Sequence, residues 1–550
     1  MKPLLLLLWR KNRILQQKQF VWNSIWKQWY WNQSQYNVNK KGDLLVLSST
    51  FTSPESDASA AGVRTEAIIH YFQSSNNSLF ENVWYGTGRN PSKDHPHYYF
   101  PLNQEERIKD LLVHNKTFAN VKAVIFDRYY TEEAYSFYFY KYRPDIVRIL
   151  DMQDIHSLRQ MRQDIIHQYD KTHDITNTPT ENIRHPRMTK SLMKQLMTVI
   201  PEIQQQTTEE DSFRFTKQKT YDKFIRELTA IHRSDVTMVC SPTEMRLLQK
   251  QLQIPSHKLV LAPFFVSPQS TTTTTTTNQD QKKDIEFVML GGFLHEPNVD
   301  SVQYVNYELW PRIYKQIQNE NPSIHIYGAH LSNKLKHRIL HQNRNKNFYL
   351  HGKADTLDQV FGSANDNNKN QTKKILLAPL RFGAGIKGKI IEAWKHNCPV
   401  ITTPIGAEGM TRHDSISSSN LQSSNEQNHN HNIDWSNNYN DWGGLIASDT
   451  DSFIDCAVKL YQDEELWYKC RDNGHYLLQS LYNDKYHFDA IQRTIEEAMQ
   501  NTMNRRKFDY TYGMLWHQTF RSTEYFSKWI ETKEKNHTNK SDDDHTTNLP

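Results

Sequence analysis

The stretch RFGAGIKGKIIEAWKHNCPVITTPIGAEG, from Arg381 to Gly409, joins a glycine-rich loop and two lysines to a helix and a short apolar strand. KILLAPL (Lys374 to Leu380) precedes it and PVITT (Pro399 to Thr403) lies near its end, so loop and helix form a crossover between parallel strands. Ligands of such sheets gather where strands end and helices begin. Gly383, Gly385 and Gly388 let the backbone approach a ligand closely, Lys387 and Lys389 add positive charge, and the first helical turn offers free N–H groups to an anion. A diphosphate fits that description. Glu392 falls near the same helix face as Lys389 and has the carboxylate to hold a vicinal diol such as a ribose. The plainer alternative is a tight turn with Lys389 and Glu392 paired on a solvated helix surface.

The same letters satisfy GxGxxG, the dinucleotide fingerprint. That fingerprint expects an acidic residue at the end of the second strand, where this chain has Thr402 and Thr403, with Glu408 only after a proline and a glycine. A nicotinamide-dependent oxidoreductase therefore stays open as an alternative, and tight binding of NAD or NADP would mark it.

The segment resembles the donor-binding motif of the group 1 glycosyltransferases, family 4. A large branch of that family carries a version similar to RFGAGIKGKxxEA, with Lys389 in the phosphate loop; the wider family also has a glutamate where this chain has Ala384. Further motifs follow in order from about Asp43 to Gln500. GGFLHEPNVD (Gly291 to Asp300) resembles the first turn of the donor domain, and Asp451 to Gly474 the paired helices near its end. SPESDASAAGVRTEAIIHYF (Ser53 to Phe72) resembles the loop and helix facing the cleft, and DMQDIHSLR (Asp151 to Arg159) the loop with a catalytic acid or base.

The resemblance implies an α/β protein of GT-B fold: two Rossmann-like domains facing each other across a cleft, with a C-terminal helix returning to the first. It implies a glycosyltransferase that moves a sugar from a nucleoside-diphosphate sugar to a glycan or other hydroxylated acceptor, with retention, without metal and without any cofactor beyond that donor. Lys389 and Arg381 would meet the charge on the leaving diphosphate, and Gly292, His295 and Asn298 would line it. Asp154 and His156 would steer the acceptor or handle its proton. Ser59, Gly62 and Arg64 would form the acceptor-side loop. A GT-B-like protein that binds sugar nucleotides or glycans without catalysis is the remaining alternative.

Other features bound this reading. A length of 550 residues suits two domains plus extensions, and a net charge of +5 without a basic stripe gives no reason to expect nucleic acid. Cys240, Cys398, Cys456 and Cys470 lack metal-binding or disulfide-framework spacing, as expected of free thiols in a reducing compartment. MKPLLLLLW is far too short for a membrane span, which takes about 20 residues. With the tryptophan-rich VWNSIWKQWYW after it, residues 1–31 read as a peripheral segment on a membrane surface. The location this favours is the cytoplasm or the cytosolic face of an endomembrane.

The boundaries expected are an extension over 1–42, an acceptor domain over 43–263, a threonine-rich linker over 264–284 and a donor domain over 285–500. A crossover helix over 501–533 and a disordered tail over 534–550 follow. The polar stretch from Thr172 to about Ser212 reads as a mobile insertion. His429 and His431 read as part of a solvated loop, and Asp449, Thr450 and Asp451 as a helix cap rather than a metal-holding DxD.

Overall fold

A computed structural model describes residues 41–517 and Trp529, except 52, 54–58, 75–78, 90–97, 174–186, 200–217, 268–284, 342–344, 363–371 and 413–440. The expected membrane-peripheral segment, the bulk of the linker, the His429/His431 loop and the tail after 533 lie outside the described residues. No described helix is long and apolar enough to cross a membrane.

The first sheet contains β1 (Gly42–Ser48), β2 (Phe80–Thr87), β3 (Tyr98–Tyr99), β4 (Val121–Asp127), β5 (Val147–Asp151), β6 (Val236–Val239) and β7 (Leu259–Leu261). The second contains β8 (Ile285–Leu290), β9 (Ile324–Tyr327), β10 (Phe348–Gly352), β11 (Lys373–Ala378), β12 (Val400–Thr402) and β13 (Gly444–Ile446). All the pairings are parallel, in the orders β3-β2-β1-β4-β5-β6-β7 and β10-β9-β8-β11-β12-β13. Both orders reverse direction after the first strand, which opens a crevice beyond the carboxyl ends of β1 and β4 in one sheet and of β8 and β11 in the other. The four central strands are buried apolar runs, as strands covered by helices on both faces must be. This is the pair of Rossmann-like domains that the sequence leads one to expect.

One hydrophobic cluster takes members from both domains, including Ile155, Leu158, Leu192 and Leu196 from the first and Phe287, Ile375, Phe382 and Ile405 from the second. Part of the expected mobile insertion is therefore ordered. The helix Lys190–Thr198, capped by Thr189, buries Leu192, Met193 and Leu196, and the carbonyl of Met188 accepts from the backbone N–H (3.1 Å) and hydroxyl (3.1 Å) of Thr450 in the second domain.

The chain crosses back where Val266 N–H donates to the Tyr482 carbonyl at 2.8 Å. The helix Asp484–Phe508 then lies on β5, β6 and β7, with Phe488, Ile491, Ile495 and Ala498 in the first domain's core. The returning helix thus begins earlier than the 501–533 expected from sequence. That later segment supplies Tyr512 and Trp516, which cage the buried Arg148 guanidinium against the same domain.

Candidate donor site at the domain interface

The donor loop leaves β11 at Ala378 and enters the helix Gly388–Lys395 through Lys387, whose side chain cannot accept from the first N–H groups of that helix. Gly385 has φ of +65°, a conformation that favours glycine, and a Cβ there would lie 2.8 Å from Asp154 Cβ in the first domain. A Cβ on Gly388 would lie 2.5 Å from Ala60 Cβ. First-domain side chains hold the loop's backbone: Arg162 Nη1 donates to the Gly383 carbonyl at 2.8 Å, and Gly385 N–H donates to Glu244 Oε1 at 2.9 Å. Lys387 folds back to donate to the Gly385 carbonyl at 2.6 Å.

Lys389 points to the other crevice loop. Its Nζ donates to Asn298 Oδ1 at 2.5 Å, and Asn298 Nδ2 donates in turn to the Gly292 carbonyl at 2.9 Å. A Cβ built on Gly292 would meet nothing within 4 Å. Burial, together with the charge of Lys387, pushes the Lys389 ammonium down to about 7. His295 begins the helix Glu296–Tyr304, is exposed to solvent, and lies within electrostatic reach of Arg159, Asp154, Lys389 and His156. Gly292, His295, Asn298, Gly383, Gly385, Lys387, Gly388 and Lys389 are thus brought together. Glu392, one turn further along the helix, pairs with Lys395 at 2.9 Å rather than with Lys389.

Three groups of the expected site residues are engaged by neighbouring side chains. Arg381 is buried with its guanidinium shared between Asp170 of the first domain (2.8 Å to each oxygen) and Asp300 of the second (3.0 and 2.5 Å). Despite its burial, those carboxylates hold it above its ordinary range, and through them it ties the two domains together. Arg64 is likewise buried, bonding Asp151 and the carbonyls of Ala262 and Pro263 (2.7 and 3.3 Å). Gly62 is buried beside it, which leaves Ser59 as the exposed member of the expected acceptor-side group.

The third group is Asp154 with His156. His156 Nδ1 lies 3.0 Å from Asp154 Oδ1, and Arg159 Nη1 donates to Asp154 Oδ2. Burial would raise Asp154, but Arg159 and His156 hold its carboxyl well below the usual range. Burial would lower His156, but the Asp154 carboxylate raises it to about 9. Those shifts favour an imidazolium paired with a carboxylate at neutral pH. Glu227 anchors the start of this helix by accepting from the backbone N–H groups of His156 at 2.7 Å and Ser157 at 2.9 Å, and its Oε1 lies 3.4 Å from His156 Nδ1.

The structure also adds residues that the sequence reading passed over. Arg162 makes a buried two-pronged pair with Glu408, at 2.7 Å for each bond. It lies two turns along the helix from His156, close enough to have been suspected. Glu244 follows β6 at a strand's carboxyl end, where site residues of parallel sheets collect. Asp449, as expected, caps the helix Thr450–Gln462 in a reciprocal bond with Ser452.

Residues 284–421 match the family model described as "Glycosyl transferases group 1". No curated protein matches the chain. Among solved structures, a glycosyltransferase from Rickettsia africae is similar at 11% identity and TM-score 0.48, over 85% of this chain and 99% of the other. A sucrose-phosphate synthase from Thermosynechococcus elongatus is similar at 12% identity and TM-score 0.47, over 84% and 100%. An Anabaena protein solved with UDP and glucose is similar at 8% identity and TM-score 0.46, over 82% and 99%. The matched range encloses β8, β11, the glycine loop, Lys389 and Glu392; residues 284–421 are thus a group 1 glycosyltransferase domain.

Proposed function

We propose that the chain transfers a sugar from a nucleoside-diphosphate sugar to a hydroxylated acceptor, with retention and without a metal ion. The observation that carries this reading is Lys389, a half-buried amine held by Asn298 between the helix start and the open backbone at Gly292. A diphosphate at that point would accept from Lys389 and from the free N–H groups of the helix Gly388–Lys395. Such donors stabilise the charge that grows as the anomeric C–O bond breaks. Glu392 is within the same helix and would hold the ribose by exchanging Lys395 for its hydroxyls.

The acceptor oxygen forms the new bond, and its proton must go somewhere. His156 is already protonated and Asp154 is committed to Arg159 and His156, so the departing diphosphate oxygen is the base this site favours. The two side chains then act electrostatically, steering the acceptor. Capping of the Thr450–Gln462 helix by Asp449 supports charge compensation by lysine rather than by a DxD-bound metal.

Transfer from a panel of nucleotide sugars, followed by release of the nucleoside diphosphate in EDTA, tests the reading. Turnover of one donor is expected to survive chelation. Complete loss with rescue by manganese would contradict the metal-free mechanism, and donor binding without transfer would favour a binding protein.

A further inference from the structure

Glu244 touches both domains at the site, yet the transfer reaction makes no use of its carboxyl. It sits on the helix Pro242–Arg246 and is 2% exposed. Its Oε1 accepts from Gly385 N–H at 2.9 Å and from Ile155 N–H at 3.1 Å. The first amide belongs to the donor loop, the second to the loop between Asp154 and His156. Those loops touch where a Gly385 Cβ would meet Asp154. Oε2 has no hydrogen-bond partner among the described residues.

We propose that Glu244 is a positioning residue for the transfer: one carboxyl oxygen clamps the donor loop at Gly385 to the acceptor-side loop at Ile155, holding Lys389 and His156 in register across the cleft. This rests on the reading of the glycine loop as the donor site. An oxygen that accepts from two amides fixes both peptide planes at once, and a buried one does so without competition from water.

The groups facing this carboxyl are Asp154 on the first-domain loop, Lys387 on the donor loop, Glu408 beyond β12, and Cys240 at the end of β6. Burial, followed by the charge of Asp154, pushes Glu244 up to about 8. The neutral form predominates at pH 7, with its proton on Oε2, since Oε1 is the acceptor. Above pH 8 an unpartnered Oε2 charge would stand beside Asp154 and Glu408, and admitting water to it requires the two loops to part. Glutamine reproduces the neutral group at every pH, while alanine removes the clamp.

Amide hydrogen exchange on the full chain tests the clamp apart from the chemistry. At pH 7, Glu244→Ala is expected to speed exchange about tenfold in the segments around 155 and 385 together, the loss of roughly one net hydrogen bond. Glu244→Gln should stay within about twofold of the wild type on that scale. At pH 9, after correction for intrinsic rates, the wild type should approach Glu244→Ala while Glu244→Gln remains protected. In transfer assays kcat/KM should fall about tenfold or more in Glu244→Ala and be kept in Glu244→Gln. Unchanged protection of either segment in Glu244→Ala, or the same pH response in wild type and Glu244→Gln, overturns the clamp. Should Glu244→Ala fail to fold, the pH comparison with Glu244→Gln decides alone. Absence of turnover in the wild type would count against the donor reading, and exchange would still judge the clamp.

Discussion

Lys389 carries a proton-linked prediction that separates a ligand-binding lysine from a structural one. Its ammonium is pushed down to about 7, so at pH 8 the unliganded site holds it largely uncharged. A diphosphate restores the charge, and binding should take up protons. Affinity for a nucleoside diphosphate should therefore fall as pH rises from 7 to 9. Titration calorimetry at pH 8 in buffers of different ionisation enthalpy should show the uptake, and Lys389→Ala should abolish it; equal heats in both proteins would sink the assignment. Glu392→Ala should weaken donor binding by about 1 to 3 kcal/mol. The fold should be unaffected, since the partly exposed pair with Lys395 adds little stability. Thermal unfolding alongside a donor titration checks both. At this scale the sequence was informative about the glycines and Lys389, which act through their own loop. It could not show the surroundings of Arg381, because Asp170 and Asp300, far away in sequence, set the environment of that guanidinium.

β11 and β12 of the second domain were readable because each is a compact apolar run beside the glycine loop and its helix. β2 was not, since FENVWYGT mixes exposed polar with buried positions, and β7 is only a short edge piece. The helix Lys190–Thr198 was hidden in a polar stretch, and only its packing across the interface shows which side chains count. Leu196→Ala should lower stability by about 2 to 5 kcal/mol, as expected for truncating a fully buried leucine. Arg162→Ala should cost about 3 to 5 kcal/mol, because it strands the buried carboxylate of Glu408. Urea denaturation measures both; a loss below about 1 kcal/mol in each would mean that the interface contributes little.

At the scale of the molecule, two sheets with the same strand order put their crevices against each other, and the donor loop sits packed between them. The returning helix Asp484–Phe508 makes the first domain depend on residues beyond the second. This architecture followed from the order of motifs along the chain, but the degree of closure did not, because it depends on pairs such as Arg162 with Glu408. The central claim is that Lys389 stabilises the leaving diphosphate in a metal-free sugar transfer. The most direct test is nucleoside diphosphate release at saturating donor in EDTA, comparing wild type with Lys389→Ala and checking each for unchanged thermal stability. Turnover in the variant should fall about 10²-fold or more, the size typical of deleting one preorganised electrostatic contact; unchanged turnover with a lowered melting temperature would contradict the account and leave Lys389 a structural partner of Asn298.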